Sequence, residues 1–267
     1  MNEKKFSFGK NWNVFLQSLT DEKVNNAVKS LCNFLSVENL KSKTFIDIGC
    51  GSGLFSYAAY LLGAEKIVSI DVDPFSTECC HFLHRKANNP ANWDIYDGSV
   101  LDKNFLNRFP TFDIVYSWGV LHHTGNMVEA IKNSASLTKL NGHYYIAIYN
   151  RKAGLFGSDY WIKVKQFYNH SPKIIKLIFE YAYMFKFFIA KLCRFKNPIK
   201  AIQGYYSKRG MNWRTDITDW LGGYPYEFGT PEEILKIVDK NSHGFQLIKL
   251  EANTELGCSS FLFKKIN

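Results

Sequence analysis

The feature that most constrains the fold is an alternation of short apolar runs with helix-forming segments between residues 43 and 150. The first two runs are short and rich in apolar residues, which is typical of a strand buried on both faces. Strand and helix patterns alternate four times before residue 150, which predicts a doubly wound α/β fold with helices on both faces of a parallel sheet. The runs are KTFIDIG, KIVSIDVD, WDIYDG, FDIVYSW and HYYIAIYN.

Segments on both sides of this region extend the pattern. Residues 18–38 predict a helix, for which Thr20 or Asp21 can serve as the N-cap. Near the other end, Thr230 and Pro231 precede two glutamates, which is a typical helix start. The runs GFQLIKLEA and CSSFLFKKI then follow closely enough to pair as antiparallel strands.

Charge separates one part of the chain from the rest. Residues 151–209 contain 13 Lys and Arg against 2 Asp and Glu, a net charge of +11, whereas the whole chain carries +9. The segment is also rich in aromatic residues, and its charge predicts an anionic partner. We expect four parts: an N-terminal helical cap (1–42), the doubly wound core (43–150), a helical basic and aromatic insert (151–229), and a C-terminal helix and strand pair that completes the core (230–267).

The cysteines and the N-terminal segment bear on the cellular compartment. The six cysteines form no C-x-x-C pair, which argues against a zinc ribbon or a secreted disulfide framework. The segment MNEKKFSFGK has no apolar stretch of the kind found in signal peptides. We therefore expect a cytoplasmic protein with reduced thiols. The 46% of hydrophobic residues excludes a wholly disordered chain.

A glycine-rich segment lies where the first apolar run passes into the next helix. It begins with Asp47 and contains Gly49, Gly51 and Gly53, which let the backbone approach a ligand and adopt positive φ. Asp71 ends the second run, where a carboxylate can bind both hydroxyls of a ribose. The spacing is G-x-G-x-G, and an acid precedes it, which suits an ammonium group better than a pyrophosphate. We therefore expect an adenosyl ligand that carries an amino acid.

Four stretches in this order resemble the class I S-adenosylmethionine-dependent methyltransferases. They are FIDIGCGSG, SIDVDP, YDGSVLD and FDIVYSWGVLHHTGN, and the resemblance covers roughly residues 43–150. The closing strand pair also matches that family, which implies a Rossmann-like, seven-stranded sheet with an antiparallel last strand. More loosely, FSFGKNWNVF and RTDITDWLGGYPYEFGT resemble a subgroup found in bacterial glycan and natural-product gene clusters.

The resemblance implies S-adenosylmethionine as the cofactor and S-adenosylhomocysteine as its product. Residues at matching positions are then expected to contact it in chain order: Asp47, Gly49, Gly51 and Gly53 at the methionine part, Asp71 at the ribose with Asp73 as a second acid, Val72, Ser99 and Val100 at the adenine, and Ser117 and Trp118 closing the pocket.

Two adjacent histidines, His122 and His123, follow the fourth apolar run at the edge where ligands bind in such sheets. A histidine there can take a proton from an acceptor hydroxyl. The alternative is that one or both only bind a loop or pack beside the cofactor. We favour His122 as the base. No metal site is expected, since no further ligand lies at a useful spacing.

The insert contains an apolar segment, residues 174–193, with four charged residues that make a transmembrane helix costly. Three interpretations stay open: a lid helix on the substrate pocket or on a second subunit, a helix on a membrane surface, or a nucleic-acid contact. A set of aromatic and acidic residues is expected to contact the acceptor. They are Trp12, Tyr149, Asp219, Trp220, Tyr224 and Tyr226.

These observations predict O-methylation of a small anionic acceptor, such as a sugar, sugar nucleotide or glycan precursor. Methylation of a lipid-linked or quinone-like phenol at a membrane surface and methylation of RNA are the alternatives. A non-enzymatic regulator that binds the cofactor is a further alternative. The N/D-P-P-Y motif of base-amino methylases is absent, because Ser117-Trp118-Gly119 stands in its place.

Overall fold

The structure of the protein, a computed structural model, describes residues 9–17, 19–202, 213–242 and 244–267. Parts of two predictions lie outside the described residues. They are the start of the N-terminal helical cap, residues 1–8, and residues 203–212 of the insert.

A seven-stranded sheet lies at the centre of the described chain. Its strands are β1 (Thr44–Ile48), β2 (Lys66–Asp71), β3 (Trp93–Asp97), β4 (Phe112–Trp118), β5 (Thr138–Tyr149), β6 (Phe245–Glu251) and β7 (Cys258–Lys265). Their order across the sheet is β3-β2-β1-β4-β5-β7-β6. Strands β1 to β5 are parallel, whereas β7 is antiparallel to both of its neighbours. The predicted fold class, with its antiparallel last strand, is confirmed.

Helices surround this sheet. They are α1 (Gly9–Gln17), α2 (Asp21–Leu35), α3 (Leu54–Leu61), α4 (Pro74–Lys86), α5 (Lys103–Leu106), α6 (Met127–Ser136), α7 (Ser158–His170), α8 (Lys173–Leu192), α9 (Trp213–Gly222) and α10 (Pro231–Ser242), with a 3₁₀ turn at Leu121–His123. Within the described ranges, no helix combines the length and the apolar character needed to cross a membrane.

The central strands β1, β2 and β4 are buried on both faces, whereas the edge strands β3 and β6 are largely exposed. The burial of β1 and β2 agrees with their apolar runs. In β1, Phe45 points into one core cluster, where it joins Leu31 of α2. The next residue, Ile46, points into the opposite cluster with Ile131 of α6 and Ile234 of α10. Consecutive side chains of a strand alternate between faces, so β1 packs against helices on both sides of the sheet.

The position of β1 determines where a ligand can bind. Strand β1 lies between β2 and β4, so the winding of the chain reverses there. Loops that leave the carboxyl ends of β1 and β4 run to opposite faces and leave a crevice between them. The glycine-rich segment and the two histidines both lie at this edge.

The insert leaves and returns at one point on the sheet edge. The Gly229 N–H donates to Tyr149 O at 3.0 Å, and the Arg151 N–H donates to Gly229 O at 3.1 Å. Between these points, the insert has a small core of its own, made of Trp161, Tyr168, Ile217, Leu221, Tyr224 and Tyr226. We call this cluster the insert core.

The start of α10 tests the prediction made for its N-terminus. The Glu233 N–H donates to Thr230 Oγ1 at 3.2 Å, and the Thr230 N–H donates to Glu233 Oε2 at 2.9 Å. This reciprocal pair is a capping box, which satisfies two amides that otherwise have no partner in the helix.

We expect Thr230→Ala to lower the free energy of unfolding by about 1 kcal/mol, because it removes the N-cap acceptor. Urea denaturation measures the change, and Thr230→Ser, which keeps the hydroxyl, is the matched control. A loss of equal size in the serine variant would contradict the capping explanation.

Candidate active site

The glycine-rich loop after β1 is fastened to the end of β2. The N–H groups of Gly49 and Cys50 both donate to Ile70 O, at 2.8 and 3.0 Å. Gly49 has a φ of +74°, and a Cβ there would lie 2.3 Å from a methyl of Val120. Gly51 also has positive φ, and its N–H points away from the β2 carbonyl towards a carboxylate. Only glycine fits this backbone path at position 49.

That carboxylate belongs to Asp71. Its Oδ2 accepts from the Gly51 N–H at 3.0 Å, and its Oδ1 accepts from the Asp73 N–H at 2.9 Å. Burial raises the pKa of Asp71, and these two hydrogen bonds oppose the shift. Each carboxylate oxygen can accept a second hydrogen bond, so Asp71 is held in place and can still bind hydroxyls.

Asp73 is held differently. Its Oδ1 accepts from the Phe75 N–H at 3.0 Å and caps α4, and its Oδ2 accepts from the Gly9 N–H at 3.0 Å. Asp73 therefore ties α1 to α4, a structural task that the sequence does not predict.

Asp47 ends a chain of hydrogen bonds that runs through the core. The Trp93 Nε1–H donates to Ser69 Oγ at 2.8 Å, Ser69 donates to Ser56 Oγ at 2.7 Å, and Ser56 donates to Asp47 Oδ2 at 2.6 Å. The Asp47 side chain is only 2% exposed. Burial raises its pKa to about 7, while the Ser56 hydroxyl opposes and the charge of Asp71 adds to the shift. A cationic group beside Asp47 would favour the charged carboxylate.

These residues border a cavity of about 1050 Å³ at the carboxyl edge of the sheet. Ligand pockets commonly measure about 300–1,000 Å³, so this cavity lies at the upper end of that range. Most of the predicted site residues line it: Trp12, Asp47, Gly49, Gly51, Asp71, Val72, Asp73, Ser99, Val100, Trp118, His123, Tyr149, Asp219, Trp220 and Tyr224.

Four predicted site residues do not line this cavity: Gly53, Ser117, His122 and Tyr226. Gly53 is the N-cap residue of α3, and a Cβ there would lie 2.8 Å from Cys80. Ser117 is fully buried, and its hydroxyl donates to Ile48 O at 2.9 Å. Tyr226 packs in the insert core behind the wall. Their surroundings suit structural support of the site rather than ligand contact.

His122 lies behind the cavity and is fully buried. Its Nδ1 accepts from the Tyr149 N–H at 3.3 Å, so Nε2 carries the proton in the neutral ring. Nε2 has no hydrogen-bond partner within the described part of the chain. Burial lowers the pKa of His122 far below its ordinary value, and His123 and Lys165 add to this. The preference for His122 as the base is therefore reversed, because this ring does not reach the cavity.

His123 is the histidine that lines the cavity. Its Nδ1 lies 2.6 Å from Pro225 O, and since a carbonyl only accepts, Nδ1 carries the proton. The lone pair of the ring is then on Nε2. Burial lowers the pKa of His123 to about 3, the charge of Lys165 adds to this, and the bond to Pro225 opposes it. The imidazole therefore stays neutral at physiological pH.

Aromatic and acidic side chains surround the rest of the cavity. The rings of Tyr149 and Trp220 meet edge to face at 5.9 Å. Asp216, Asp219 and Glu255 supply carboxylates, whereas no Lys or Arg of the described residues lines the cavity. The predicted anionic acceptor is therefore not supported by this lining. The prediction rested on a charge count, which does not say which side of the insert the charges occupy.

Sequence comparison with known families agrees with the geometry of the loop and the cavity. The profile of a methyltransferase-domain family matches residues 39–189, more than half of the chain. The chain belongs to the class I S-adenosylmethionine-dependent methyltransferases.

Curated relatives of the methyltransferase match it over part of their length. The ubiquinone biosynthesis O-methyltransferase of Pelagibacter ubique is 32% identical over 143 residues, which cover 52% of this chain and 57% of that protein. The ribosomal protein L11 methyltransferase of Tolumonas auensis is 29% identical over 114 residues, which cover 42% of this chain and 38% of that protein. The matched regions thus span well under two thirds of these relatives.

A solved structure confirms the fold of the methyltransferase. Magnesium protoporphyrin IX methyltransferase from Synechocystis PCC 6803, with bound S-adenosylhomocysteine, superposes with a TM-score of 0.53 at 13% identity. The alignment covers 93% of this chain and 86% of that one.

The cofactor is S-adenosylmethionine, and the residues present fit it. When bound, it supplies a methyl group on a sulfonium, which needs no redox or metal chemistry from the protein. A side chain at Gly49 would collide with Val120, so the loop is built for close backbone approach. The buried Asp47 carboxylate suits an ammonium group, and the two-point fixation of Asp71 suits a ribose. Within the described residues, no cluster of three metal-ligating side chains occurs.

Sequence reasoning missed two groups of cavity residues. The first lies on helices of the insert and comprises Tyr183, Phe187, Trp213 and Asp216. Tyr183 and Phe187 are four apart on α8, a spacing that marks one helix face but not what it packs against. The second is the β6–β7 connection with Asn253, Glu255 and Leu256, where the sequence resembles an ordinary turn.

One buried cation lies behind this wall. Lys165 is fully buried, donates to Trp220 O, and lies 4.2 Å from the centre of the Trp220 ring. Burial lowers its pKa to about 7, and the charge of Asp219 opposes the shift. Lys165 thus fixes the aromatic wall from the side opposite the cavity.

We expect cofactor affinity to rise with pH up to about 7 and then level off. The ammonium group of the cofactor lowers the pKa of Asp47 in the complex. At a pH below the pKa of the free protein, binding therefore releases a proton, and the affinity rises by up to about tenfold per pH unit. Calorimetric titration with S-adenosylhomocysteine measures this. Asp47→Asn, which keeps an acceptor for Ser56, should bind more weakly and show a flatter profile; an unchanged profile would contradict the assignment.

We expect Lys165 to make the native state more stable as pH rises above 7. The folded pKa of about 7 lies below the unfolded value of 10.5, so the unfolded chain binds more protons between them. Urea denaturation at several pH values should show a slope steeper by about 1 kcal/mol per pH unit than in Lys165→Met. Equal slopes in the two proteins would contradict the buried state of this amine.

Proposed function

We propose that the methyltransferase transfers the methyl group to a hydroxyl oxygen of a small ring-shaped acceptor, with a sugar or the sugar of a glycan precursor as the first choice. The observation that carries this is His123, a neutral imidazole at the cavity wall with its tautomer set by Pro225. Aromatic rings suit the apolar faces of a sugar, and carboxylates accept from its hydroxyls. An anionic part, such as the diphosphate of a sugar nucleotide, would lie outside the acidic lining.

In this proposal, separate residues bind the acceptor, orient its hydroxyls and accept the proton. Tyr149 and Trp220 hold the acceptor ring, and the carboxylates of Asp216 and Asp219 orient its hydroxyls. As the new carbon–oxygen bond forms and the carbon–sulfur bond breaks, the hydroxyl proton passes to His123 Nε2. A weak base suffices, because the oxygen becomes acidic only as it gains the methyl group. The surrounding aromatic wall excludes water from this step.

A phenol is the second candidate acceptor. Phe187 and Leu256 add apolar surface to the cavity, which suits an aromatic ring. One relative, at 32% identity, is named as a ubiquinone biosynthesis O-methyltransferase. The lining gives less support to RNA, because its carboxylates would repel phosphates.

An acceptor panel separates these classes. Transfer of radiolabelled methyl from S-adenosylmethionine would be measured with glucose, a UDP-hexose, catechol, a primary amine and bulk tRNA. Methylation of a sugar or of catechol on oxygen supports the proposal. Turnover of the amine or tRNA alone would overturn it, and so would cofactor binding with no acceptor turned over at all.

Substitution of His123 tests the proposed base. We expect His123→Ala to leave the affinity for S-adenosylhomocysteine near its original value and to lower kcat by about 10²–10⁴-fold. His123→Asn is the discriminating control, since its amide N–H can still donate to Pro225 O but the basic nitrogen is lost. Low activity in both variants supports a base, whereas recovery in the asparagine variant would reduce His123 to a positioning role.

A further inference from the structure

Helix α8 exposes a continuous row of apolar side chains. The row, which we call the apolar stripe, consists of Ile174, Ile178, Tyr181, Phe185, Ile189 and Leu192. Each of these residues exposes 43–73% of its surface. At about 100° per residue, the six side chains fall within an arc of about 80° on the helix. Large contiguous apolar patches of this kind mark interaction sites.

The stripe is not the face with which α8 packs on the protein. Tyr183 and Phe187 line the cavity, and each follows a stripe residue by two positions, which places it on the opposite side of the helix. Glu180 is also turned inward, where its carboxylate accepts from Tyr168 Oη at 2.7 Å. The helix thus already has its core-facing side, and the stripe is a second apolar surface.

The charges beside the stripe are of one sign. Lys173 and Lys186 are exposed and lie on either side of the stripe, about 120° and 100° from its centre. After the helix come Arg194, Lys196 and Lys200, which are exposed as well. The acidic residue of α8, Glu180, is buried, so the exposed part of this helix carries no carboxylate.

We propose that the apolar stripe docks α8 on the surface of an anionic lipid bilayer. Apolar side chains enter the boundary between headgroups and acyl chains, and the flanking lysines contact the anionic headgroups. A helix of 20 residues extends about 30 Å along the surface. A second copy of the chain fits less well, because the exposed part of its α8 offers no carboxylate to pair with these lysines, whereas anionic headgroups do.

The proposal goes beyond the proposed function and does not depend on which acceptor is methylated. It has one structural consequence for the site. The helix that touches the bilayer with its outer face forms the cavity wall with its inner face, so docking places the active site directly behind the membrane-bound helix.

Vesicle flotation tests the proposal with the full chain. We expect binding to phosphatidylcholine vesicles that contain about 30 mol% phosphatidylglycerol, weaker binding to pure phosphatidylcholine, and loss of the difference at high salt. The double variant Ile178→Glu/Phe185→Glu should bind at least about tenfold more weakly. Leu140→Glu, an equally exposed residue on β5, is the matched control and should bind as the native chain does.

Two readouts keep the outcomes distinct. S-adenosylhomocysteine binding, measured without lipid, reports that each variant retains a folded core, and it tests the proposed function separately. Lys173→Gln/Lys186→Gln leaves the stripe intact and should lower binding to the anionic vesicles alone. Vesicle binding that is absent in the native chain, or equal in the glutamate variant, would overturn the proposal. So would a concentration-dependent dimer that the glutamates disrupt while vesicle binding is unaffected.

Discussion

Two neighbouring backbone amides, those of Gly49 and Cys50, donate to the single carbonyl oxygen of Ile70 at the end of β2. This contact holds the loop after β1 across the point where the winding of the sheet reverses. Two consequences follow from it. The Gly51 N–H reaches the Asp71 carboxylate, and Asp47 is left buried at the end of its serine chain. Two carboxylates thus converge on one cavity, and burial raises the pKa of both. A cationic cofactor relieves this electrostatic cost when it binds.

The two faces of the insert carry side chains of opposite charge. The described residues that line the cavity supply carboxylates and aromatic rings, whereas the exposed part of α8 presents lysines beside apolar side chains. Lys165 belongs to neither group, because its side chain is fully buried behind Trp220. Both ends of the insert meet at the end of β5, through Tyr149 and Gly229. The insert is therefore anchored at the site itself, and what its outer face contacts bears directly on the cavity wall.

Much of the core was predictable because its signals are local. An apolar run, a glycine turn and a helix cap each report on a few adjacent residues, and the capping box at Thr230 and the loop at Gly49 both follow from such signals. Contacts between distant segments gave no such signal. Asp73 resembles a ligand-binding acid by position, yet its second oxygen accepts from Gly9 of α1. The cavity residues of α8 and of the β6–β7 connection could not be predicted either, because they reach the cavity through contacts between segments that are far apart in the sequence.

The two histidines show most clearly which features the sequence determines and which depend on the tertiary structure. The sequence by itself determined the doubly wound fold, the cofactor loop and the presence of a histidine pair after β4, because strand periodicity, glycine spacing and motif order are properties of neighbouring residues. Only the tertiary structure decided which ring faces the cavity, since that depends on Pro225, 102 residues further along the chain, and on the burial of His122. The same holds for charge: a count locates the basic segment, but only packing decides that its described cations lie outside the cavity lining.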